Sequence, residues 1–202
     1  MRELTVYADV ACPFTHVGLR RIVEERHERG RDDDIVLVVK AWPLELVNGH
    51  PLDPAKIADE IAALRSEMVP ELFARFDPAQ FPSTSMPALA LTSTAYAHSN
   101  GLGEAAALAL RDALFEEGRN VAEAEVVASV AAGLGLPAAG DESLALAEYE
   151  AGVRMGVVGS PYFVVGESGF FCPALDVSHD EGGFHVDFVA DRFDDFCAQV
   201  CA

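Results

Sequence analysis

The sequence predicts an α/β fold in which a βαβ unit is separated from a later β-hairpin by a long helical block. Three observations predict it. Residues 3–9 and Ile35–Val39 are short apolar runs flanking an amphipathic stretch at 13–29. From about 54 to 155 apolar residues recur at helical spacing without any strand signal. Strand character then returns at Tyr162-Phe163-Val164-Val165.

Residues 3–9 read as a buried strand, and 13–29 as a helix ending at Gly30. Ile35–Val39 is a continuous β-branched and apolar run, which fits a second buried strand. Strand, helix, strand calls for a right-handed crossover and parallel strands. Trp42-Pro43 ends the second strand, and 43–53 reads as a loop. Ile57, Ile61, Leu64 and Met68 then mark a helix that Pro70 ends or kinks. Four more helices are expected at Leu89–His98, with Ser85 available as a cap, at Gly103–Glu117, at Val121–Leu134, and at Asp141–Met155 with Asp141 as its cap. The turn Gly166-Glu167-Ser168-Gly169 joins Tyr162–Val165 to Phe170-Phe171-Cys172 as a hairpin. Residues 176–185 read as an irregular acidic loop, and Val186–Val200 as a closing helix. The division that follows is 1–50 and 156–202 for the two parts of the sheet-containing domain, with 51–155 as the helical insertion.

At 202 residues, half of them apolar, the chain can bury a sizeable core. Acidic residues outnumber basic ones 33 to 14, for a net charge of −19, which repels nucleic acid and anionic lipid and argues against both as partners. No apolar run approaches the ~20 residues a membrane span needs. Because the sequence enters a strand at once, with no basic-then-apolar leader, the expected location is cytoplasmic. The four cysteines, Cys12, Cys172, Cys197 and Cys201, are too few for a secreted disulfide framework, and no CxxC or HxxxH spacing offers a metal site. Cys197 and Cys201, four apart on one helix face, read as packing.

Two short stretches carry chemistry. In Asp9-Val10-Ala11-Cys12-Pro13-Phe14-Thr15-His16, a cysteine sits at a strand-to-helix junction with proline in the first turn. A thiol there is either a buried structural residue or a nucleophile whose thiolate is favoured by the unpaired N–H groups and the dipole of the helix start. On the second reading the Thr15 hydroxyl can hydrogen-bond the thiolate, and a protonated His16 can pair with it. A low Cys12 pKa is then expected. Position 15, where a dithiol centre would hold its second cysteine, is threonine. The other stretch is Gly156-Val157-Val158-Gly159-Ser160-Pro161, directly before a strand. Pro161 is either an ordinary trans proline opening that strand or a cis proline exposing the Ser160 backbone to a peptide-like ligand.

Together these stretches resemble the DsbA-like branch of the thioredoxin superfamily. Asp9-Val10-Ala11-Cys12-Pro13-Phe14 is similar to the family's D-x-x-C-P-[WF] entry to its active-site helix. Gly156–Val165 is similar to its G-V-x-G-[TS]-P-x-F-V-V loop and strand. Ala113-Leu114-Phe115-Glu116-Glu117-Gly118-Arg119-Asn120-Val121 is similar to a helix end common in the branch. The resemblance implies a thioredoxin fold with an all-helical domain inserted after the second strand. It also implies a cis bond before Pro161, close to Cys12, and thiol chemistry. Pro13, Phe14, Ser160 and Pro161 would then hold substrate or cosubstrate, with Cys12 and Thr15 as catalytic residues. The branch also includes 2-hydroxychromene-2-carboxylate isomerases and kappa-class glutathione transferases. Gly169-Phe170-Phe171-Cys172-Pro173-Ala174-Leu175 is similar to an F-F-G-P-V-L stretch of actinobacterial mycothiol-dependent relatives.

Three functions follow. In the first, Cys12 is the single active-site thiol of a thiol-disulfide oxidoreductase acting on a small-molecule or protein disulfide. No cofactor is tightly bound, and glutathione or mycothiol is the resolving cosubstrate. In the second, a bound low-molecular-weight thiol performs an isomerase or transferase reaction, oriented by Cys12 or Thr15, with a second-substrate pocket between the domains lined by Trp42 and Phe14. In the third, the chain is a non-catalytic binding protein on a redox fold. Cys172 is an auxiliary thiol expected opposite Phe163. Two strand residues span roughly 7 Å, about the limit for disulfide Cα atoms, so bridging to Cys12 from there would need backbone movement. Exposed hairpin edges permit a homodimer without requiring one.

Overall fold

The structure, a computed structural model, describes residues 2–173, 175–180 and 183–201, with the backbone alone at 177–180, 183–185, 188, 190 and 201. The reading of Cys197 and Cys201 as a packing pair therefore rests on a side chain, that of Cys201, outside what is described.

Strands β1 (Arg2–Ala8) and β2 (Ile35–Ala41) run parallel, in register from Arg2 opposite Ile35 to Ala8 opposite Ala41. Helix α1 (Pro13–Glu28) connects them. β3 (Tyr162–Val165) lies antiparallel on the other side of β1, and β4 (Ser168–Phe171) lies antiparallel to β3, giving the sheet order β2-β1-β3-β4. Between β2 and β3 come α2 (Leu44–Asn48), α3 (Pro54–Glu67), α4 (Met86–His98), α5 (Asn100–Phe115), α6 (Ala124–Gly133) and α7 (Glu142–Met155). The α/β fold with helices inserted after the second strand is as the sequence predicts. The short α2 occupies what reads as loop.

The C-terminal region departs from expectation. Residues Leu175–Asp180 and Gly183–Phe188 form β5 and β6, an antiparallel two-stranded sheet, and α8 begins only at Ala190 (Ala190–Cys201). Apolar residues alternate with polar ones at Leu175 and Val177 and again at Val186 and Phe188, a period of two that the acidic content obscures. The Val186 N–H donates to the Glu67 carboxylate at 3.0 Å, which ties β6 to the end of α3.

Helix starts follow their side chains. Asp53 accepts from Ala55 N and Asp141 from Ser143 N, each at 2.9 Å, capping α3 and α7. Ser85 holds the N-cap position of α4 but makes no cap bond; Thr84 Oγ1 accepts from Met86 N at 3.2 Å instead. Ser85 is buried and hydrogen-bonds Asp9.

Alternation sorts β1 between two faces. Leu4, Val6 and Ala8 join the main core, which continues through α1, α3, α4 and α5, so the helices and the sheet share one interior. Tyr7 faces the other way, into a smaller cluster with Trp42 and Val157. Leu37, Leu89 and Leu110 are fully buried; each such side chain contributes about 1.5–3 kcal/mol of transfer free energy.

Candidate active site

The short connection from β1 to α1 brings Cys12 to the helix start. Cys12 is the N-cap residue, extended at φ −85°, ψ 114°, and its carbonyl accepts from His16 N at 3.2 Å. Pro13 takes the first helical position, where its missing N–H costs nothing. The Ser160–Pro161 peptide bond is cis.

The two stretches singled out in the sequence meet. The Cys12 thiol donates to the Ser160 carbonyl at 3.3 Å. Thr15 Oγ1 and Ser160 Oγ share a hydrogen bond of 2.8 Å, and Ser160 Oγ also accepts from Asp9 N at 2.9 Å. Ser160 therefore holds both the end of β1 and the first turn of α1. Gly18 completes the contact: a Cβ there would lie 3.9 Å from Pro161 Cγ, so the helix approaches the loop closely.

The protonation of Cys12 is opposite to expectation. Burial pushes the thiol above its ordinary value; hydrogen bonds from the Thr15 hydroxyl and N–H and from Ser160 pull it back without cancelling the rise, and the Glu60 charge adds to it. A helix start favours an anion by about 0.3–1 kcal/mol, ~2 in favourable geometry, whereas taking a charge out of water costs several kcal/mol. With Cys12 only 3% exposed, burial wins. The hydrogen bond agrees, since a thiol donating to a carbonyl is the neutral form.

His16 does not face the cysteine. Its side chain packs against Phe73 and Phe115, and Nε2 donates to Glu116 at 2.7 Å. Arg20 Nε lies 3.3 Å from the same nitrogen, which cannot both donate and accept in one plane; the shorter contact decides, and Arg20 is held instead by Asp112 at 2.5 Å. Burial lowers the His16 pKa despite Glu116, so this contact is a neutral N–H donating to a carboxylate, not an ion pair.

Trp42 is likewise elsewhere. It is buried against Tyr7 and Tyr149, whereas Phe14 lines a groove of about 850 Å³ together with Ser160, Phe170, Phe171, Cys172 and Arg192. Trp42 does not line that groove. Cys172 is nearer the site than expected: β3 and β4 pair Tyr162 with Phe171 and Phe163 with Phe170, and Cys172 N donates to Pro161 O at 3.1 Å. Its thiol reaches toward the Ser160 carbonyl at 4.0 Å. The tighter turn at Gly166-Glu167 moves the register by two residues from the sequence reading.

Sequence reasoning missed Glu60, Arg111 and Arg192. Arg111, fully buried in α5, donates to Asp9 O at 3.1 Å and Ala107 O at 2.8 Å. The Asp9 carboxylate below the cysteine loop accepts from Ala11 N at 2.8 Å and Leu44 N at 2.6 Å. A lone charged residue in a helical pattern gives no sign of being buried, so Arg111 had no signal to find.

Residues 3–181 match the DSBA-like thioredoxin domain family, and the chain belongs to it. Solved structures share the fold at low identity. The cytosolic disulfide reductase DsbM from Pseudomonas aeruginosa is 17% identical, with a TM-score of 0.59 over 98% of this chain and 96% of that one. The same protein with GSH matches at 17% identity and TM-score 0.56, over 84% and 88% of the two chains. A 2-hydroxychromene-2-carboxylate isomerase is 15% identical, with a TM-score of 0.57 over 84% and 88%. No curated protein sequence matches this one. At these identities the solved structures speak to the fold alone.

Proposed function

We propose that the chain is a thiol-disulfide oxidoreductase that reacts through Cys12, with a low-molecular-weight thiol, glutathione or mycothiol, as the resolving partner. The 3.3 Å contact between the Cys12 thiol and the carbonyl of Ser160, a residue that lines the groove, carries this reading. A disulfide entering the groove would meet Phe14 and Phe171 as apolar walls, beside Arg192, whose guanidinium is paired with Asp176 at 2.7 Å. Cys12 gives up its proton, and the Thr15 hydroxyl and N–H stabilise the sulfur as charge develops. The thiolate attacks one sulfur of the disulfide, the S–S bond breaks, and the departing thiolate takes the proton. A second thiol molecule then frees Cys12 by the same exchange. That a DsbM structure was solved with GSH lends support to a ligand of this class.

The test is incubation with oxidised glutathione, and separately with oxidised mycothiol, followed by intact-mass measurement and peptide mapping. Cys12 is expected in disulfide linkage, with no such product in Cys12→Ser. Recovery of Cys12 as a free thiol from both incubations would overturn the proposal.

One observation favours a second reading, a thiol-dependent isomerase or transferase. The resting Cys12 is a neutral hydrogen-bond donor, a group that can orient the sulfur of a bound thiol without reacting itself. Activity on a 2-hydroxychromene-2-carboxylate that survives Cys12→Ser would favour this reading over the first.

A further inference from the structure

We propose that Cys172 is the second redox thiol of this site, closing a disulfide with Cys12 in place of the cysteine absent at position 15. The inference rests on the reading of Cys12 as the exchanging thiol.

Both sulfurs contact one atom. The Cys12 and Cys172 thiols donate to the same Ser160 carbonyl oxygen, at 3.3 and 4.0 Å, so they are no farther apart than those two contacts laid end to end. The backbone holds them there. Cys172 N donates to Pro161 O at 3.1 Å, and Cys172 O accepts from Leu175 N at 3.1 Å, so the residue is tied both to the Ser160-Pro161 loop and to the start of β5. Cys172 lies at φ 41°, in the left-handed region that a β-carbon disfavours. Its sulfur is placed at the floor of the groove by a turn that glycine would make more easily.

The chemistry balances with a low-molecular-weight disulfide, RSSR, as the oxidant. Cys12 loses its proton and attacks one sulfur; the RSSR bond breaks, and RS⁻ leaves and takes that proton. Cys172 loses its proton and attacks Cys12 Sγ; the mixed disulfide breaks, and the second RS⁻ leaves with that proton. Two electrons pass from the two protein thiols to RSSR, giving one Cys12–Cys172 disulfide and two RSH. Burial holds the Cys172 proton in place, and the Arg192 charge works against that hold. Thr15 cannot compete, because its hydroxyl is engaged by Ser160 and has no sulfur to offer.

The experiment is a time course of the full chain with excess oxidised glutathione, quenched in acid and read by intact mass and non-reducing peptide maps. The wild type is expected to lose two hydrogens and yield a cross-linked peptide containing Cys12 and Cys172. Cys172→Ser is expected to accumulate a glutathione adduct on Cys12 that decays at least tenfold more slowly. Cys172→Ala serves as a second variant, and the wild-type cross-link stands without either. Equal Cys12 adduct in wild type and variant would overturn the proposal and leave Cys12 as a monothiol; a wild-type cross-link joining Cys172 to any other cysteine would also overturn it. Absence of any product at Cys12 in all three proteins would overturn the oxidoreductase reading together with it.

Discussion

At neutral pH the Cys12 sulfur keeps its proton, and that proton has an acceptor in the Ser160 carbonyl. Alkylation by iodoacetamide should therefore be slow at pH 7 and rise with pH beyond the ordinary thiol range near ~8.5. A rate that levels off below pH 8 would contradict the raised pKa. Thr15 works in the opposite direction: its hydroxyl and N–H lower the Cys12 pKa. Thr15→Val removes the hydroxyl while nearly keeping the volume, so it should shift the alkylation profile further upward. It should also cost about 1–2 kcal/mol in urea unfolding, because Ser160 Oγ loses a buried partner. The sequence revealed which residues meet here: cysteine, proline, threonine, and Ser160-Pro161 some 150 positions on. It did not reveal the protonation state, because that depends on how completely the loop is covered, and coverage comes from elements distant in sequence.

Among the elements, α3 contributes the charge closest in consequence. Glu60 lies part-buried on this helix, and burial, with the Asp59 charge beside it, pushes its carboxyl up to about 7, Lys56 offsetting only part. The unfolded chain releases this proton near the ordinary 4.5, while the folded chain holds it to about 7. Between those values the folded state binds more protons, so the Glu60 contribution to stability falls as pH rises, and the loss is complete above 7. Glu60→Gln should therefore be more stable than the wild type at pH 8, with the advantage vanishing near pH 4.5. His16 acts with the other sign: burial lowers its pKa below 6.5, so its contribution is present in full above 6.5 and is lost as pH falls from there through the lower folded-state value. Both proteins contain His16, so the difference between their melting curves isolates Glu60. The same substitution removes one upward push on Cys12 and should speed its alkylation at pH 8. Elements with long apolar periodicity, α1, α3 and α5 to α7, were legible because each buries one stripe, and α4 because it is apolar enough to be buried on most sides, from Ala88 through Ser93. β5 and β6 were not: their alternation runs through Asp, Ser and His, and the pairing partner that makes a strand of such a run is the other half of the hairpin, not the residues within it.

For the whole molecule, the question is how the helical insertion is coupled to the cysteine loop, and Arg111 is the link. It sits in α5 among residues with almost no exposure and donates to Asp9 O at 3.1 Å, four residues before α1 begins at Pro13. Burial lowers its pKa to about 10, so it remains a cation at neutral pH. The first of the opposite charges acting on it is the Asp9 carboxylate, through space and not by direct contact; that carboxylate is itself fully buried, with its pKa raised by burial and drawn back by Ser85, Ala11 N, Leu44 N and Arg111. Removing one of two opposite buried charges leaves the other uncompensated, at a cost of about 3–5 kcal/mol, whereas removing both is far less damaging. Arg111→Met should therefore destabilise by about 3–5 kcal/mol, and the Asp9→Asn, Arg111→Met double variant should lose clearly less than the two single losses added together. Urea unfolding of the four proteins at pH 7 measures the coupling directly. Additive losses would mean that Arg111 acts only as packing volume. The same cycle has a readout at the active site. Asp9 N holds Ser160 Oγ at 2.9 Å, and Ser160 O accepts the Cys12 proton, so a loosened Asp9 uncovers the thiol. Arg111→Met, a change wholly inside the insertion, should then speed Cys12 alkylation at pH 8 under conditions where the variant remains folded.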